Sequence, residues 1–317
     1  MKGIYKFKFR RDFLKKDPIY VEIDLQAPID EAWAYTQNPM LHEQWDLRFS
    51  SITYIEKKSP EDPQQFTYET KVMPGLKVSG WGESKGTHHK ENGTKTSSLH
   101  FGTAQKISPI AEGKGYWQYI PHDNGLTFLT RYDYEVRYGK LGALLDNIFR
   151  PAMGWATALS FDVLKRWLEK GENPLSQYRR FFLTMLISVL FCFVWFYQGL
   201  VPKVLIQHPV EVSILAELSG LRTNTATIAV FWVGVLEMVF ALCWLFPRGK
   251  RLLFGLQILM FPLLTISAVL SEMSISTAPF NPVTLNVSLW VLAIVGFVLS
   301  KDLPSAKSCI RKKGERR

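Results

Sequence analysis

Four long apolar stretches, at about residues 181–201, 226–246, 252–270 and 283–300, constrain this chain more than any other feature in it. Each is long enough for a helix to cross a hydrocarbon layer of about 30 Å. Helix is the expected form there, because lipid offers no partner to an unsatisfied backbone N–H or C=O. Charge is divided to match: residues 1–180 hold 26 Lys/Arg and 22 Asp/Glu, residues 181–317 only 12 and 6. The sequence therefore predicts a soluble domain over 1–175, an all-α four-helix transmembrane bundle over 176–303 and a basic tail over 304–317. With a net charge of +10, the positive excess sits beside the apolar segments and in the tail, which points to anionic lipid headgroups rather than nucleic acid.

Short loops rich in Lys and Arg stay in the cytoplasm. Arg179 and Arg180 precede the first span, Arg248, Lys250 and Arg251 form the turn between the second and third, and seven Lys/Arg follow the fourth. All three positions fall on one side, so both termini are expected to be cytoplasmic in a multi-pass cell-membrane protein. Residues 1–16 have no continuous apolar run or cleavage site of a signal peptide. Cys192, Cys243 and Cys309 have no metal or disulfide spacing, and no metal site is expected.

Glu237 is the conspicuous polar residue within the spans. A charge at helix centre costs about 2.5–3.5 kcal/mol on insertion scales, which the surrounding Val, Ile, Leu and Phe offset. Glu237 lies eleven residues before Arg248 and Gln257 nine after it. At about 1.5 Å per residue the two differ by about 3 Å in depth, so a Glu237–Gln257 hydrogen bond is expected. Gln198, Lys203, Glu272 and Asn281 complete a possible membrane polar network, with Lys203 and Glu272 at outer helix ends, where they can snorkel or pair.

The run Trp195, Tyr197, Gln198, Gly199, Leu200, Pro202, Lys203, then 234–237, then Pro279, Phe280, Asn281, Pro282 resembles the DoxX-like family of four-helix membrane proteins. The resemblance covers about residues 178–303. It implies a bundle associated with membrane redox chemistry, in which some relatives are subunits of quinone-linked oxidoreductases. Lys203, Glu237 and Asn281 become candidate site residues by that resemblance, with Glu237 and Lys203 as catalytic candidates and quinone as a possible cofactor. No cofactor is evident from the residues themselves, since no span contains a histidine.

In the soluble half, a strand at 19–25 precedes two short helices at 28–36 and 39–45. Strand-like runs follow at 52–57, 65–73, 77–83, 96–103, 114–120 and 126–138, with hairpin signals at Asn92-Gly93 and Asn124-Gly125. A long amphipathic helix at 141–170, interrupted by Pro151, closes the domain, its apolar face including Leu145, Ile148, Phe149, Met153 and Leu159. With VEIDLQAPIDEAWAYTQNPMLHEQWD carrying Ala27-Pro28, Trp33, Trp45 and Asp46, this order resembles the α+β helix-grip fold, START-like or SRPBCC. That resemblance implies a cavity for a hydrophobic ligand between the sheet and the long helix. Trp81, Phe101, Trp117, Tyr119, Phe128, Tyr132 and Tyr134 are candidates to line it, against plain core packing. HExxH, GxSxG, Walker A and GxGxxG patterns are absent.

The short link at 171–178 places such a cavity near the inner leaflet. The expected function is binding of a hydrophobic small molecule or lipid by the cytoplasmic domain, with the bundle processing or sensing it. The alternative is a subunit of a membrane oxidoreductase whose soluble domain docks a partner protein. A small transporter is disfavoured by the lack of an inverted repeat or broken helix.

Overall fold

The computed structural model describes residues 16–73, 75–271, 276–277, 279 and 281–315. Two compact units emerge, one of residues 1–176 together with 304–317, the other of 177–303.

In the first unit, strand β1 (Ile19–Leu25) is followed by helices α1 (Ile29–Gln37) and α2 (Pro39–Trp45). Asn38 caps α2 by accepting from the Met40 N–H, and Pro39 opens that helix, where a missing N–H is harmless. Strands β2 (Ser51–Tyr54), β3 (Gln64–Met73), β4 (Leu76–His89), β5 (Lys95–Gly102), β6 (Ile110–His122) and β7 (Gly125–Val136) complete an antiparallel sheet in the order β1-β7-β6-β5-β4-β3-β2. Both hairpin signals are used, Gly93 and Gly125 having positive φ. Helix α3 (Gly139–Lys170) runs unbroken through Pro151 and ends at Gly171 in the left-handed conformation. Strand, two helices, six strands and one long helix on the inner face make a helix-grip fold.

Alternate residues of β1 (Ile19, Val21, Ile23, Leu25) are buried and pair with Tyr132, Thr130, Phe128 and Leu126 of β7. Here α3 seals the sheet: Thr157, Ala158 and Phe161 are buried, and Phe128 stacks on Phe161 with ring centroids 4.5 Å apart. The expected apolar face of α3 is split. Leu159, Val163 and Leu164 enter the core, whereas Leu145 and Ile148 are exposed.

The tail, read from sequence as a separate basic segment over 304–317, joins the soluble unit instead. Glu22 and Ile310 exchange two backbone hydrogen bonds of 2.9 Å, so the C-terminal segment pairs with the free side of edge strand β1. The Ser305 N–H donates to Asp162 (2.8 Å) and Cys309 is buried against the Ala158 carbonyl. An unpaired strand edge and a short apolar segment supply the driving force, and neither is visible from composition. Truncation after Leu303 should remove about 2–5 kcal/mol from the soluble unit, from three lost hydrogen bonds and one buried side chain. Hydrogen exchange of full-length and truncated protein reads this directly. Protection of 19–25 should fall on truncation, and unchanged protection there would show that the tail contributes nothing.

The second unit holds α4 (Pro174–Gln198) with a π-helical continuation over Gly199–Leu205, then α5 (Pro209–Ser219), α6 (Thr223–Cys243), α7 (Lys250–Ser271) and α8 (Pro282–Leu299). Four helices have the length and apolarity to cross a membrane: Pro174–Leu205, Thr223–Cys243, Lys250–Ser267 and Pro282–Leu299. Helix α5 lies between the first two apolar stretches, outside every span expected from sequence. Phe191, Trp195, Trp244, Phe254, Phe261 and Leu289 build the bundle core, and the Phe254 ring packs where a Cβ on Gly296 would stand. Phe193, Leu236, Leu259 and Val298 stay uncovered, as lipid-facing side chains do.

Candidate functional site

The inner face of the sheet continues past α3. Register places Phe66 and Tyr68 of β3, Gly80 and Gly82 of β4, Leu99 and Phe101 of β5, and Gly113, Gly115 and Trp117 of β6 on that face. Aromatic rings lie flat over the glycines of neighbouring strands. A Cβ on Gly80 would overlap the Tyr68 ring, one on Gly82 the Phe66 ring, and one on Gly113 the Phe101 ring. Because α3 packs on β1 and β7 rather than on β3–β5, Phe66, Tyr68, Leu99 and Phe101 are only half-buried. The result is a groove with an apolar, aromatic floor. On the same face, an open cleft of about 690 Å³ lies between α1, the β2–β3 turn and β4, lined by Trp33, Gln37, Tyr54, Gln64 and Ser84 among others.

A buried charge cluster stands beside the groove. Asp46, the C-cap of α2, accepts from Arg48 Nε at 2.9 Å and Nη2 at 2.7 Å, from the Arg48 N–H at 3.1 Å, and contacts His42 Nε2 at 3.0 Å. The Arg48 guanidinium lies 5.4 Å from the Tyr132 ring centroid and 5.6 Å from that of Phe49. Burial alone would raise the Asp46 carboxyl, but Arg48, with His42 behind it, holds it well below the usual carboxylate range. Burial pushes the Tyr68 hydroxyl up to about 12, so it stays neutral on the groove floor.

In the membrane unit, Gly199 of the π-helical segment meets Gly234 of α6. A Cβ on either would stand 2.5–2.6 Å from the other's carbonyl oxygen. This close approach brings Lys203 Nζ within 3.1 Å of Glu237 Oε2 and 3.6 Å of Glu211 Oε2 on α5. The expected Glu237–Gln257 bond is not formed: Gln257 accepts from Trp195 Nε1 at 3.1 Å. Equal depth along two helices leaves their rotation open, and the Gly199–Gly234 contact turns Glu237 toward Lys203. Asn281 caps α8, accepting from the Thr284 N–H at 2.9 Å. Gln198 ends α4, and Glu272 lies outside the described residues.

Of the aromatic candidates, Phe101 and Trp117 lie on the inner face and are half-buried. Trp81 pairs with Gly102, out of phase with Phe101, which puts it on the opposite face at 41 % exposure and removes it from the groove. Tyr119 is core, sealed by α1, its hydroxyl bonded to Thr36 (2.6 Å) and Gln37 (3.1 Å). Tyr132 and Tyr134 are buried under α3 with hydroxyls on Thr157 (2.9 Å) and Asp146 (2.7 Å). Sequence reasoning missed Phe66, Tyr68 and Arg48. A signal existed in the Gly-x-Gly of β4 and β6, which faces aromatics on the adjacent strands.

A sequence model of the DoxX-like family matches residues 192–294. Among solved structures, the STAR-related lipid transfer protein of Xanthomonas axonopodis aligns with TM-score 0.37 and 14% identity over 47% of this chain and 84% of that one. TTHA0849 of Thermus thermophilus aligns with TM-score 0.34 and 16% identity over 43% and 86%. The chain thus joins a helix-grip unit to four helices long and apolar enough to cross a membrane, within which the match to the DoxX-like model falls. The Bacillus subtilis (strain 168) membrane protein YndG is 38% identical over 307 residues, spanning 95% of this chain and 99% of that protein. The chain belongs to the YndG family of membrane proteins.

Proposed function

We propose that the soluble unit binds a hydrophobic small molecule or lipid in the groove over β3–β6, and that the four-helix bundle processes or senses it. The carrying observation is the half-covered floor of Phe66, Tyr68, Leu99 and Phe101. Apolar surface gains about 25 cal/mol per Å² on leaving water, so a long aromatic floor that its own helix leaves open favours an apolar occupant. Both termini are proposed to be cytoplasmic, in the cell membrane. Support comes from the basic loops and from the tail: residues 304–311 pack into the same unit as residues 16–176, so the segment between crosses the bilayer an even number of times.

Lipid extraction and mass spectrometry of purified full-length protein test the reading. One species should be depleted several-fold by Leu99→Arg, which sets a charge on the groove floor, and by Phe101→Trp, which narrows it without charge. Bulk phospholipid carried by the bundle should be unchanged in both. If no species responds to either substitution, the groove holds no such ligand.

A further inference from the structure

The end of the sheet where α3 begins carries a second apolar surface, distinct from the groove floor. Three segments meet there: the β3–β4 turn, the β5–β6 loop and the β7–α3 junction. Arg137 ties the last two together, its N–H donating to the Pro109 carbonyl (2.8 Å), its Nε to that of Ile110 (3.3 Å) and its Nη2 to that of Thr103. Thr103 in turn donates to the Ser79 carbonyl at 2.5 Å, and Gln105 accepts from the Ser79 N–H at 3.0 Å. From this bonded frame project Val72, Met73, Ile107, Leu141, Leu144 and Ile148, between 57 % and 77 % exposed. On α3 the exposed positions 141, 144, 145 and 148 recur at helical spacing and form a stripe.

Six exposed aliphatic side chains at one end of a soluble domain are too concentrated to be incidental surface. Charge identifies the occupant. Across 71–73, 75–77, 103–109 and 137–148 the cations are Lys71, Lys77, Lys106, Arg137 and Lys140, and Asp146, the lone acid in these segments, is buried. Glu69 engages Lys77 at 2.8 Å, while Lys71, Lys106 and Lys140 stand exposed around the apolar side chains. Aliphatic tips that enter the acyl boundary, ringed by lysines at headgroup level, are the chemistry of an interfacial membrane contact. Like charge opposes a basic protein partner, while acyl chains match the aliphatic side chains and anionic headgroups match the lysines. We infer that this end of the soluble unit is a docking face for an anionic phospholipid bilayer. This goes beyond the groove reading and stands whether or not the groove is filled.

The test uses full-length protein in nanodiscs of phosphatidylcholine with phosphatidylglycerol, or of phosphatidylcholine alone. A benzoylphenylalanine replaces Ile107 or Ile148, both exposed, and Thr67 on β3 serves as control. After irradiation, mass spectrometry should find phospholipid adducts at 107 and 148 but not at 67, with several-fold lower yield without phosphatidylglycerol. Lys71→Glu, Lys106→Glu and Lys140→Glu together should lower the yield likewise. Adducts formed with residues 1–15 or with a second copy, or lipid adducts of equal yield in both nanodiscs, overturn the assignment.

Discussion

Lys203→Leu should destabilise the membrane unit by about 3–5 kcal/mol, the usual loss when one partner of a buried ion pair is removed. Lys203 side-chain exposure is 11 %, that of Glu237 17 %, and after the substitution Glu237 is left without its cation. Glu237→Leu should do less harm, because Lys203 retains Glu211 at 3.6 Å. The double variant K203L/E237L should regain most of the stability lost by K203L, since the buried Glu237 charge is gone and only the part-exposed Glu211 carboxylate, 34 % exposed, is left without its cation. Reversible unfolding in mixed detergent micelles measures all three. Additive losses in the double variant would mean that the two side chains are not coupled, and the membrane site would lose its physical basis.

Asp46→Ala should lower the stability of the soluble unit by about 3–5 kcal/mol, leaving Arg48 as an uncompensated buried cation. D46A/R48M should be less damaging than D46A alone. The same carboxylate gives a pH signature. Its folded-state pKa is depressed below the unfolded value of about 4, so its stabilising contribution is complete above that pH and fades as pH falls below it. Hydrogen exchange of residues 46–54 in wild type and D46A should therefore converge in acid and separate above about pH 4. A constant difference at every pH would show that Asp46 acts through packing rather than charge.

Much of the architecture was legible in the chain. Apolar runs at 181–201, 226–246, 252–270 and 283–300 marked the four candidate spans because hydrocarbon thickness sets a length and lipid forbids unsatisfied backbone. The strands and the β4–β5 and β6–β7 hairpins were legible because period-two alternation and the Asn92-Gly93 and Asn124-Gly125 turns are local signals. Site residues were harder. Trp81 reads like Phe101 in composition, yet the β4–β5 register, fixed by distant pairing, sends it to the other face. Lys203 reads like an interfacial anchor until two glycines 35 positions apart in sequence bring two helices into contact.

The sequence alone determined what depends on local physics: which segments are long and apolar enough to cross a membrane, which alternate as strands, and where Gly171 stops a helix. Tertiary structure alone decided which polar groups meet. Whether Glu237 finds Lys203 or Gln257, whether the tail closes on β1, and how far α3 leaves the inner face uncovered all depend on helix rotation and packing distance. Those are set by contacts between residues far apart in the chain, where no periodicity records them.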